Sequence, residues 1–321
     1  MSESYRKFLR ASQLPHVWCP GCGDGMIVKA FLLAVEELGL DQDQVVVVSG
    51  IGCSGRTPFI LDFNTMHTTH GRAIAFATGV KLANEALKVI VIMGDGDASA
   101  IGGNHFIHAC RRNIDLTALI FNNGIYGLTG GQLAPTTPTG MRSTTSQSGN
   151  IEPPFDLVRL ALGAGAGFVA RTTSFDHKQM TALIKKAIQY RGFSVVDIMT
   201  SCPTYFGRMN DVAEPYDMMH YLRDTTAPME ELAGEVMQEC TCRTTEHAND
   251  ACGHGRCGTG HSGGGHCGNG HCGSERGERA DEHPLNPTGV FREESRTDYG
   301  TLYRRKLEVA VAKRAAKGGE S

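Results

Sequence analysis

The sequence predicts an α/β fold in which a mostly parallel sheet is covered by helices on both faces. Short apolar runs rich in β-branched residues alternate with longer segments whose apolar residues recur every three or four positions. The short runs are apolar throughout, which is typical of strands buried on both faces. This alternation of strand and helix is the pattern of a parallel sheet joined by helical crossovers.

Most of the predicted elements fall between residues 26 and 199. Four strands are predicted, at Val45–Ser49, Val89–Met93, Leu116–Phe121 and Ser194–Met199. Four helices are predicted, at Met26–Leu38, Gly71–Leu87, Ile101–Arg112 and Phe175–Tyr190. The basic segment TLYRRKLEVAVAKRAAK, from Thr301, also has a helical pattern and is expected to dock on the core or on another subunit.

The composition is that of an ordinary soluble protein and argues against several classes of function. With 31 Lys and Arg against 34 Asp and Glu, the formal net charge of −3 gives no attraction to nucleic acid or to an anionic membrane. The first residues lack the apolar segment of a secretory signal, and no run approaches the ~18 apolar residues of a membrane span. A cytoplasmic location is therefore expected, where the 11 cysteines favour metal binding or redox chemistry over disulfides.

A change of composition near residue 225 predicts two parts. Residues 1–225 form the α/β domain, and residues 226–321 form a C-terminal extension. Within the extension, Cys252–Gly273 is a low-complexity stretch of ten Gly, four Cys and four His among few other residues, too poor in apolar side chains to build a core. It belongs to a Cys/His/Gly-rich insertion at about residues 240–283. A metal-binding arm and a spacer without specific function are both compatible with this insertion.

Each predicted strand runs directly into a polar or cysteine-containing motif. These are GIGCSGR from Gly50, GDGD from Gly94, NNGIYG from Asn122 and TSCP from Thr200. In an open parallel sheet, ligands bind in the crevice beyond the carboxyl ends of the strands. The four motifs are therefore expected to face one crevice.

Asp95 is a candidate ligand for a divalent cation in that crevice. A carboxylate between glycines at a strand end suits Mg²⁺ bridged to a diphosphate, because phosphate oxygens can approach where side chains are missing. Asn123 could add its amide oxygen and Ile125 its backbone carbonyl, so two neighbouring loops would supply three oxygen ligands. Taken singly, both motifs could equally be simple turns.

A second candidate site consists of cysteines. Cys19 and Cys22 form a C-x-x-C pair in a Gly/Pro turn, and Cys53 and Cys202 each follow a predicted strand. Four converging thiolates can hold zinc or a [4Fe-4S] cluster, and the spacing alone favours neither. Location favours the cluster, because an electron carrier has a reason to share a crevice with a diphosphate cofactor and a structural zinc ion has none.

Several motifs together resemble one enzyme family. They are WCPGCG, SGIGCSGR, HTTHGRAIAFATGVKLAN, MGDGDASAIGGNHFIHACRRN, FNNGIYGLTGGQLAPTTP and SCPTYFGR. GDG and NN, with 25 residues between Gly96 and Asn122, resemble the thiamine-diphosphate motif. The whole set is similar to the β subunit of the 2-oxoacid:ferredoxin oxidoreductases, most closely the 2-oxoglutarate type, over about residues 5–225.

The resemblance implies an enzyme subunit with thiamine diphosphate, Mg²⁺ and a [4Fe-4S] cluster. It implies oxidative decarboxylation of a 2-oxoacid to an acyl-coenzyme A, or the reverse reaction, with electrons passed singly to or from ferredoxin. The expected substrate is 2-oxoglutarate, with a branched-chain 2-oxoacid or pyruvate as alternatives. The pyrimidine half of the site is expected on a separate α subunit, in an αβ or (αβ)₂ assembly, so this chain alone should be inactive. A non-redox thiamine-diphosphate enzyme with structural zinc and a metal-binding protein remain rival hypotheses.

The resemblance also assigns roles to single residues. The Mg²⁺ ligands would be Asp95, Asn123 and the backbone of Ile125, and the cluster ligands Cys19, Cys22, Cys53 and Cys202. The cofactor contacts would be Ile51, Gly52, Cys53, Ser54, His70, Gly71, Gly96, Asp97, Gly127 and Leu128. Arg56 would bind the 2-oxoacid carboxylate, which a planar guanidinium suits; a surface Arg paired with an acidic neighbour is the alternative. Cys110, inside a helical pattern, is expected in the core.

Overall fold

The computed structural model describes residues 4–228 and 286–318, and its main feature is one eight-stranded sheet. The strands are β1 (Val45–Ser49), β2 (Asn64–His67), β3 (Lys88–Gly94), β4 (Leu116–Asn122), β5 (Ile125–Tyr126), β6 (Gln132–Leu133), β7 (Phe168–Thr173), β8 (Phe193–Met199), β9 (Thr226–Pro228) and β10 (Asn286–Glu293). The order in the sheet is β2-β1-β3-β4-β8-β7-β10-β9, and β5 and β6 form a separate hairpin. From β2 to β7 every pair is parallel, whereas β10 is antiparallel to β7.

The helices connect these strands. They are α1 (Asp24–Glu37), α2 (Thr57–Ile60), α3 (Ala73–Ala83), α4 (Asp95–Ser99), α5 (Gly103–Arg112), α6 (Leu157–Gly163), α7 (His177–Gln189), α8 (Pro215–Asp224) and α9 (Tyr299–Gly318). Two of them begin at Asp side chains that accept hydrogen bonds from the first turn: Asp156 caps α6 and Asp176 caps α7. A π-helix at Pro203–Gly207 follows the loop after β8.

Helices cover both faces of the sheet because alternate residues of a strand point to opposite sides. Val45 and Val47 of β1 pack into the core that includes α1 and α7, whereas Val46 and Val48 pack into the core that includes α3, α5 and α6. A strand with a core on each side has no polar face, which is why the strands appear in the sequence as continuous apolar runs. The predicted fold class is confirmed.

The predicted elements correspond closely to the observed ones. The four predicted strands are β1, β3, β4 and β8, and the four predicted helices are α1, α3, α5 and α7. The largest difference is in α3, which ends at Ala83 rather than Leu87 because Asn84 adopts an extended backbone. Cys110 is buried in the core beneath α5, as expected.

The sequence pattern misses two strands of the main sheet before residue 225. One is β2, a half-exposed edge strand with polar residues. The other is β7, which contains Arg171, yet that side chain is buried. Its Nε donates to Asp197 at 2.8 Å and its Nη2 donates to Asp156 at 2.6 Å. The partners that neutralise Arg171 are distant in sequence, so local periodicity cannot reveal them.

Replacing Arg171 with Met should destabilise the protein by about 3–5 kcal/mol, because the fully buried Asp197 would lose its cation. Urea unfolding measures this as a lower midpoint. Arg159→Met is the matched control: Arg159 also pairs with Asp156, at 3.6 Å, but its side chain is 88% exposed, so the loss should stay below about 1 kcal/mol. Equal losses in the two variants would contradict the assigned role of the buried pair.

The C-terminal part of the chain contributes to the same sheet. β10 pairs with β7, and β9 pairs with the first residues of β10. α9 starts against the core, where Tyr299 is packed and Arg304 pairs with Glu85 at 2.6 Å. The Cys/His/Gly-rich insertion lies outside the described residues, and the predicted division at residue 225 stays a prediction. Within the described segments, no helix has the length and apolar character needed to cross a membrane.

Candidate functional site

The loops after β1, β3, β4 and β8 meet at one edge of the sheet because these strands are parallel neighbours. Two of the cavities that the described residues form at this edge contain most of the predicted site residues. The cysteine cavity, of about 590 Å³, is lined by all four predicted cluster ligands, Cys19, Cys22, Cys53 and Cys202. The acidic cavity, of about 520 Å³, is lined by three carboxylates, Asp24, Asp95 and Asp97.

The structure brings nearly all the predicted cofactor contacts to the acidic cavity. Its lining includes Ile51, Gly52, Cys53, Ser54, His70, Gly96, Asp97, Gly127 and Leu128, together with the predicted Mg²⁺ ligands Asp95, Asn123 and Ile125. Gly71 does not line it and instead donates its backbone N–H to Asp97. Arg56 lines the cysteine cavity.

Asp95 is buried in the wall of the acidic cavity. It is the first residue of α4, directly after β3, and is 2% exposed. The backbone N–H of Asn123 donates to its Oδ1 at 3.4 Å, and the hydroxyl of Thr136 donates to its Oδ2. Burial raises the pKa of Asp95 to about 7, against the lowering effect of these hydrogen bonds. A cation beside this carboxylate would favour its ionised form.

The loop after β4 places neutral oxygens near Asp95. Asn123 Oδ1 accepts a hydrogen bond from the N–H of Ile125 at 3.2 Å, and Gly124 between them has φ of +67°. Carboxylate, amide and backbone carbonyl oxygens are the ligands that Mg²⁺ accepts. In residues 4–228 and 286–318, no three His, Cys, Asp or Glu side chains are grouped closely enough to bind one metal ion. A cation at Asp95 would therefore take its other ligands from amide, carbonyl or phosphate oxygens.

The floor of the acidic cavity depends on Gly96. The Tyr126 ring lies where a Cβ atom on residue 96 would be, and the Tyr126 hydroxyl donates to the Gly96 carbonyl at 3.2 Å. A side chain at position 96 would displace the tyrosine. Packing therefore requires glycine at position 96, and the missing side chain also leaves room for a ligand.

The cysteines reach their cavity from separate segments. Cys19 and Cys22 precede α1, Cys53 follows β1, and Cys202 follows β8. A Cβ atom on Gly127 would lie 3.3 Å from Cys53 Sγ and 3.7 Å from Cys202 Sγ. Glycine at position 127 therefore keeps the space beside these two sulfur atoms open.

The four thiols line one cavity, but among the described residues no three of them are grouped closely enough to hold a metal ion as they stand, and their environment is that of buried, unreactive cysteines. Burial raises the pKa of Cys22, Cys53 and Cys202, that of Cys53 to about 12, and the Asp24 charge adds to each shift. Thiols of this kind are poor nucleophiles unless a metal stabilises the thiolate. No described cysteine is in a disulfide. The Trp18 indole donates to the Cys53 carbonyl at 2.8 Å and so ties the N-terminal segment to the loop after β1.

Arg56 lies in the wall of the cysteine cavity. Its guanidinium carbon is 5.8 Å from the centroid of the Phe59 ring. Over the described part of the chain, Arg56 forms no ion pair, so the alternative of a surface Arg paired with an acid is not observed. A guanidinium without a carboxylate partner beside a cavity can take a carboxylate ligand.

Asp24 is a site residue that the sequence analysis missed. It is the first residue of α1, is 1% exposed and lines the acidic cavity. Neither of its carboxylate oxygens meets a nitrogen or oxygen donor among the described residues, and only the weakly donating Cys22 thiol contributes a hydrogen bond to it. Burial, together with the charge of Asp95, raises its pKa to about 7. Because a buried carboxylate without a nitrogen or oxygen donor is costly, Asp24 indicates a ligand that is positively charged or donates hydrogen bonds.

The only signal for Asp24 in the sequence is its place directly after the WCPGCG motif. Thr136 was missed as well, because nothing local marks a threonine as the partner of a distant carboxylate. His67, three residues before His70 in the HTTHGR segment, is outside both cavities; its Nδ1 is 3.0 Å from Ser49 Oγ.

Comparison with known proteins supports a thiamine-dependent site. Residues 44–198 match the family model described as thiamine pyrophosphate enzyme, C-terminal TPP binding domain. The chain is 48% identical over 211 residues to the 2-oxoacid:ferredoxin oxidoreductase subunit beta of Saccharolobus solfataricus, covering 64% of this chain and 68% of that protein. It is 54% identical over 224 residues to the 2-oxoglutarate synthase subunit KorB of Archaeoglobus fulgidus, covering 70% of this chain and 82% of that protein.

The chain belongs to the family of 2-oxoacid:ferredoxin oxidoreductase β subunits. A chain of the solved 2-oxoglutarate:ferredoxin oxidoreductase from Magnetococcus marinus, with 2-oxoglutarate, coenzyme A and succinyl-CoA bound, is 31% identical to this β subunit with a TM-score of 0.73. That alignment covers 95% of this chain and 90% of the other. The predicted family, the predicted fold and the assignment as an enzyme subunit are confirmed. The roles of single residues in this β subunit stay predictions.

Proposed function

We propose that this β subunit binds thiamine diphosphate and acts with an α subunit in the coenzyme A-dependent oxidative decarboxylation of 2-oxoglutarate, passing electrons to ferredoxin. The observation that carries the proposal is the wall shared by the two cavities, lined on both sides by Cys53, Asn123, Gly127 and Leu128. A cofactor in the acidic cavity would lie directly against an electron-accepting centre in the cysteine cavity. The substrate is supported by the names of the relatives, which include 2-oxoglutarate synthase.

At one end of the acidic cavity, Asp95, the amide oxygen of Asn123 and the carbonyl of Ile125 would hold Mg²⁺. One carboxylate leaves the ion with positive charge for the diphosphate, and Mg²⁺ characteristically combines one or two carboxylates with substrate phosphates. The Thr136 hydroxyl, on Asp95 Oδ2, would orient the carboxylate. These residues therefore fit the cofactor that the family model implies.

Asp24 lines the same cavity, close enough to Asp95 for that charge to raise its pKa, and would face the positively charged thiazolium ring. It lies near the cysteines, since its charge affects the pKa of Cys22, Cys53 and Cys202. Its carboxylate is buried and receives no hydrogen bond from a nitrogen or oxygen donor in the described residues. Opposite charges attract strongly when they are buried away from solvent. The ring would therefore supply a positively charged partner for the Asp24 carboxylate. In this arrangement Mg²⁺ would lie beside the Asp95 carboxylate, and the positively charged ring would lie beside the Asp24 carboxylate.

Cys19, Cys22, Cys53 and Cys202 would bind one [4Fe-4S] cluster. When bound, thiamine diphosphate supplies the electron sink for decarboxylation, and the cluster accepts the electrons one at a time. The chain's own contribution is to hold Cys53 between the two cavities, through the short helix Ser54–Arg56 and the Trp18 hydrogen bond. Leu128 lines both cavities and Phe59 lines the cysteine cavity, so apolar side chains lie beside this wall.

Arg56 would bind a carboxylate of the 2-oxoacid. Arg56 lines the cysteine cavity three residues after Cys53, which lines both cavities, and this position supports the assignment. The names of the relatives describe them as subunits, which supports an α partner that completes the pocket. Ferredoxin as the electron acceptor is supported by the same source.

The test is a spectrum of the anaerobically reconstituted αβ enzyme. Broad absorption near ~400 nm that bleaches on adding 2-oxoglutarate and coenzyme A would support the proposal. Pyruvate and a branched-chain 2-oxoacid, added in parallel, decide the substrate. A colourless enzyme with stoichiometric zinc would instead establish the non-redox alternative and refute electron transfer through the cysteines.

Replacing Arg56 with Met should lower kcat/KM for 2-oxoglutarate by about 10–100-fold, because a charge-assisted hydrogen bond of about 1.5–3 kcal/mol is lost. Most of the change should appear in KM if Arg56 binds the carboxylate equally in the ground and transition states. Arg142→Met, which removes an exposed arginine paired with Asp211 at 2.8 Å, is the control and should leave KM unchanged. An unchanged KM in the Arg56 variant would show that this arginine does not bind substrate.

A further inference from the structure

The carboxylate of Asp97 joins three separate segments around the acidic cavity. Its Oδ1 accepts a hydrogen bond from the N–H of Gly71 at 2.6 Å and lies 2.6 Å from Nδ1 of His70. Its Oδ2 packs against Gly50, at the start of the loop after β1. Asp97 itself belongs to α4 and is 2% exposed. One side chain thus links α4 to the loop after β1 and to the segment before α3.

These contacts direct the Asp97 carboxylate at protein groups, although the residue lines the acidic cavity and its Oδ2 has no hydrogen-bond partner among the described residues. Oδ1 is occupied by protein donors, and Oδ2 fills the space that a Cβ atom on Gly50 would need. A carboxylate that touched the diphosphate directly would repel it, because both groups are anionic. The sequence resemblance assigned Asp97 to a cofactor contact, and the observed contacts point to a different role.

His70 is the cavity-lining group that Asp97 holds. With Nδ1 directed at Asp97, Nε2 is the ring nitrogen that remains for a ligand, and in the described segments no protein group bonds to it. The ring is packed edge-on against Tyr126 at 6.0 Å, which limits its rotation. A histidine fixed at one nitrogen by a carboxylate presents the other nitrogen in a defined direction.

We propose that the Asp97 carboxylate acts as a positioning group that fixes His70 and the start of the loop after β1 in the wall of the diphosphate site, and that this carboxylate does not itself contact the cofactor. His70 is then the residue that contacts the diphosphate. The inference rests on the proposed function, since it takes thiamine diphosphate as the occupant of the acidic cavity.

A double-mutant cycle on the reconstituted αβ enzyme tests this inference. The dissociation constant of thiamine diphosphate is measured by calorimetric titration at saturating Mg²⁺ for Asp97→Ala, His70→Ala and the double variant. If Asp97 acts through His70, each single change should weaken binding by about 10-fold and the double change by little more, because the two side chains are coupled. Two independent contacts would multiply to about 100-fold and would overturn the inference.

Two further variants separate positioning from loss of folding. Asp97→Asn keeps an oxygen that can accept from Gly71 and should restore most of the affinity lost in Asp97→Ala; a loss as large as that of Asp97→Ala would contradict the proposal. His67→Ala removes a neighbouring histidine outside the acidic cavity and should leave the dissociation constant unchanged. Failure of the unmodified enzyme to bind thiamine diphosphate would instead refute the proposed function itself, so the two failures are distinguishable.

Discussion

Replacing Asp95 with Ala should abolish the retention of thiamine diphosphate in the presence of Mg²⁺. Asp95 lies at the junction of β3, α4 and the loop after β4, and its two oxygens are already oriented by Thr136 and the N–H of Asn123. Removing one member of a buried, charge-paired set costs about 3–5 kcal/mol, which corresponds to more than about 100-fold in affinity. The amide and carbonyl oxygens that remain carry no charge to bind the ion.

The measurement is the thiamine content of the enzyme after gel filtration in Mg²⁺ buffer, followed by titration with the cofactor. Asp95→Asn keeps an acceptor for Thr136 but loses the charge, so it should also fail to retain the cofactor. Asp62→Ala is the control; Asp62 is an exposed carboxylate 3.8 Å from Arg10, and its loss should have no effect. A normal cofactor content in Asp95→Ala would show that the Mg²⁺ site is not at the GDGD motif.

The parts of the site that follow strands could be predicted from the sequence, and the parts that depend on distant neighbours could not. Asp95, Asn123 and Cys53 come directly after runs such as VIVIM, so parallel pairing necessarily collects them at one edge. Which carboxylates pair with Arg171 depends on which segments pack together in three dimensions. The same is true of the lack of a nitrogen or oxygen donor to the Asp24 carboxylate among the described residues. No local pattern encodes a buried charge whose partner lies elsewhere in the chain or on a ligand.

The same distinction explains why the observed contacts of Asp97 differ from the role that the motif predicts. Its position in GDGD, two residues after Asp95, groups it with the cofactor contacts when only the motif is considered. The fold places Gly71 and His70 against it, on a segment that enters the site through the loop between β2 and α3. The GDGD motif therefore predicts that Asp97 lies at the acidic cavity, whereas the three-dimensional contacts show that its carboxylate is held by Gly71 and His70.

Replacing Cys202 with Ser should remove the broad absorption near ~400 nm and most of the iron from the anaerobically purified αβ enzyme. Cys202 is 8% exposed and lines only the cysteine cavity, so its loss should affect the cluster while the acidic cavity stays intact. A hydroxyl is a poor substitute for a thiolate as an iron ligand. Thiamine diphosphate binding should therefore change by less than about 3-fold, which separates cluster loss from unfolding.

Cys110→Ala is the matched control for this variant. Cys110 is equally buried but lies in the core beneath α5, outside both cavities. Its replacement should keep the iron and the absorption and cost about 1 kcal/mol of stability at most, because only a small group is removed from the core. If Cys202→Ser kept the full absorption, or if both variants lost it equally, Cys202 would not be a cluster ligand, and the shared wall at Cys53 would have to serve a purpose other than electron transfer.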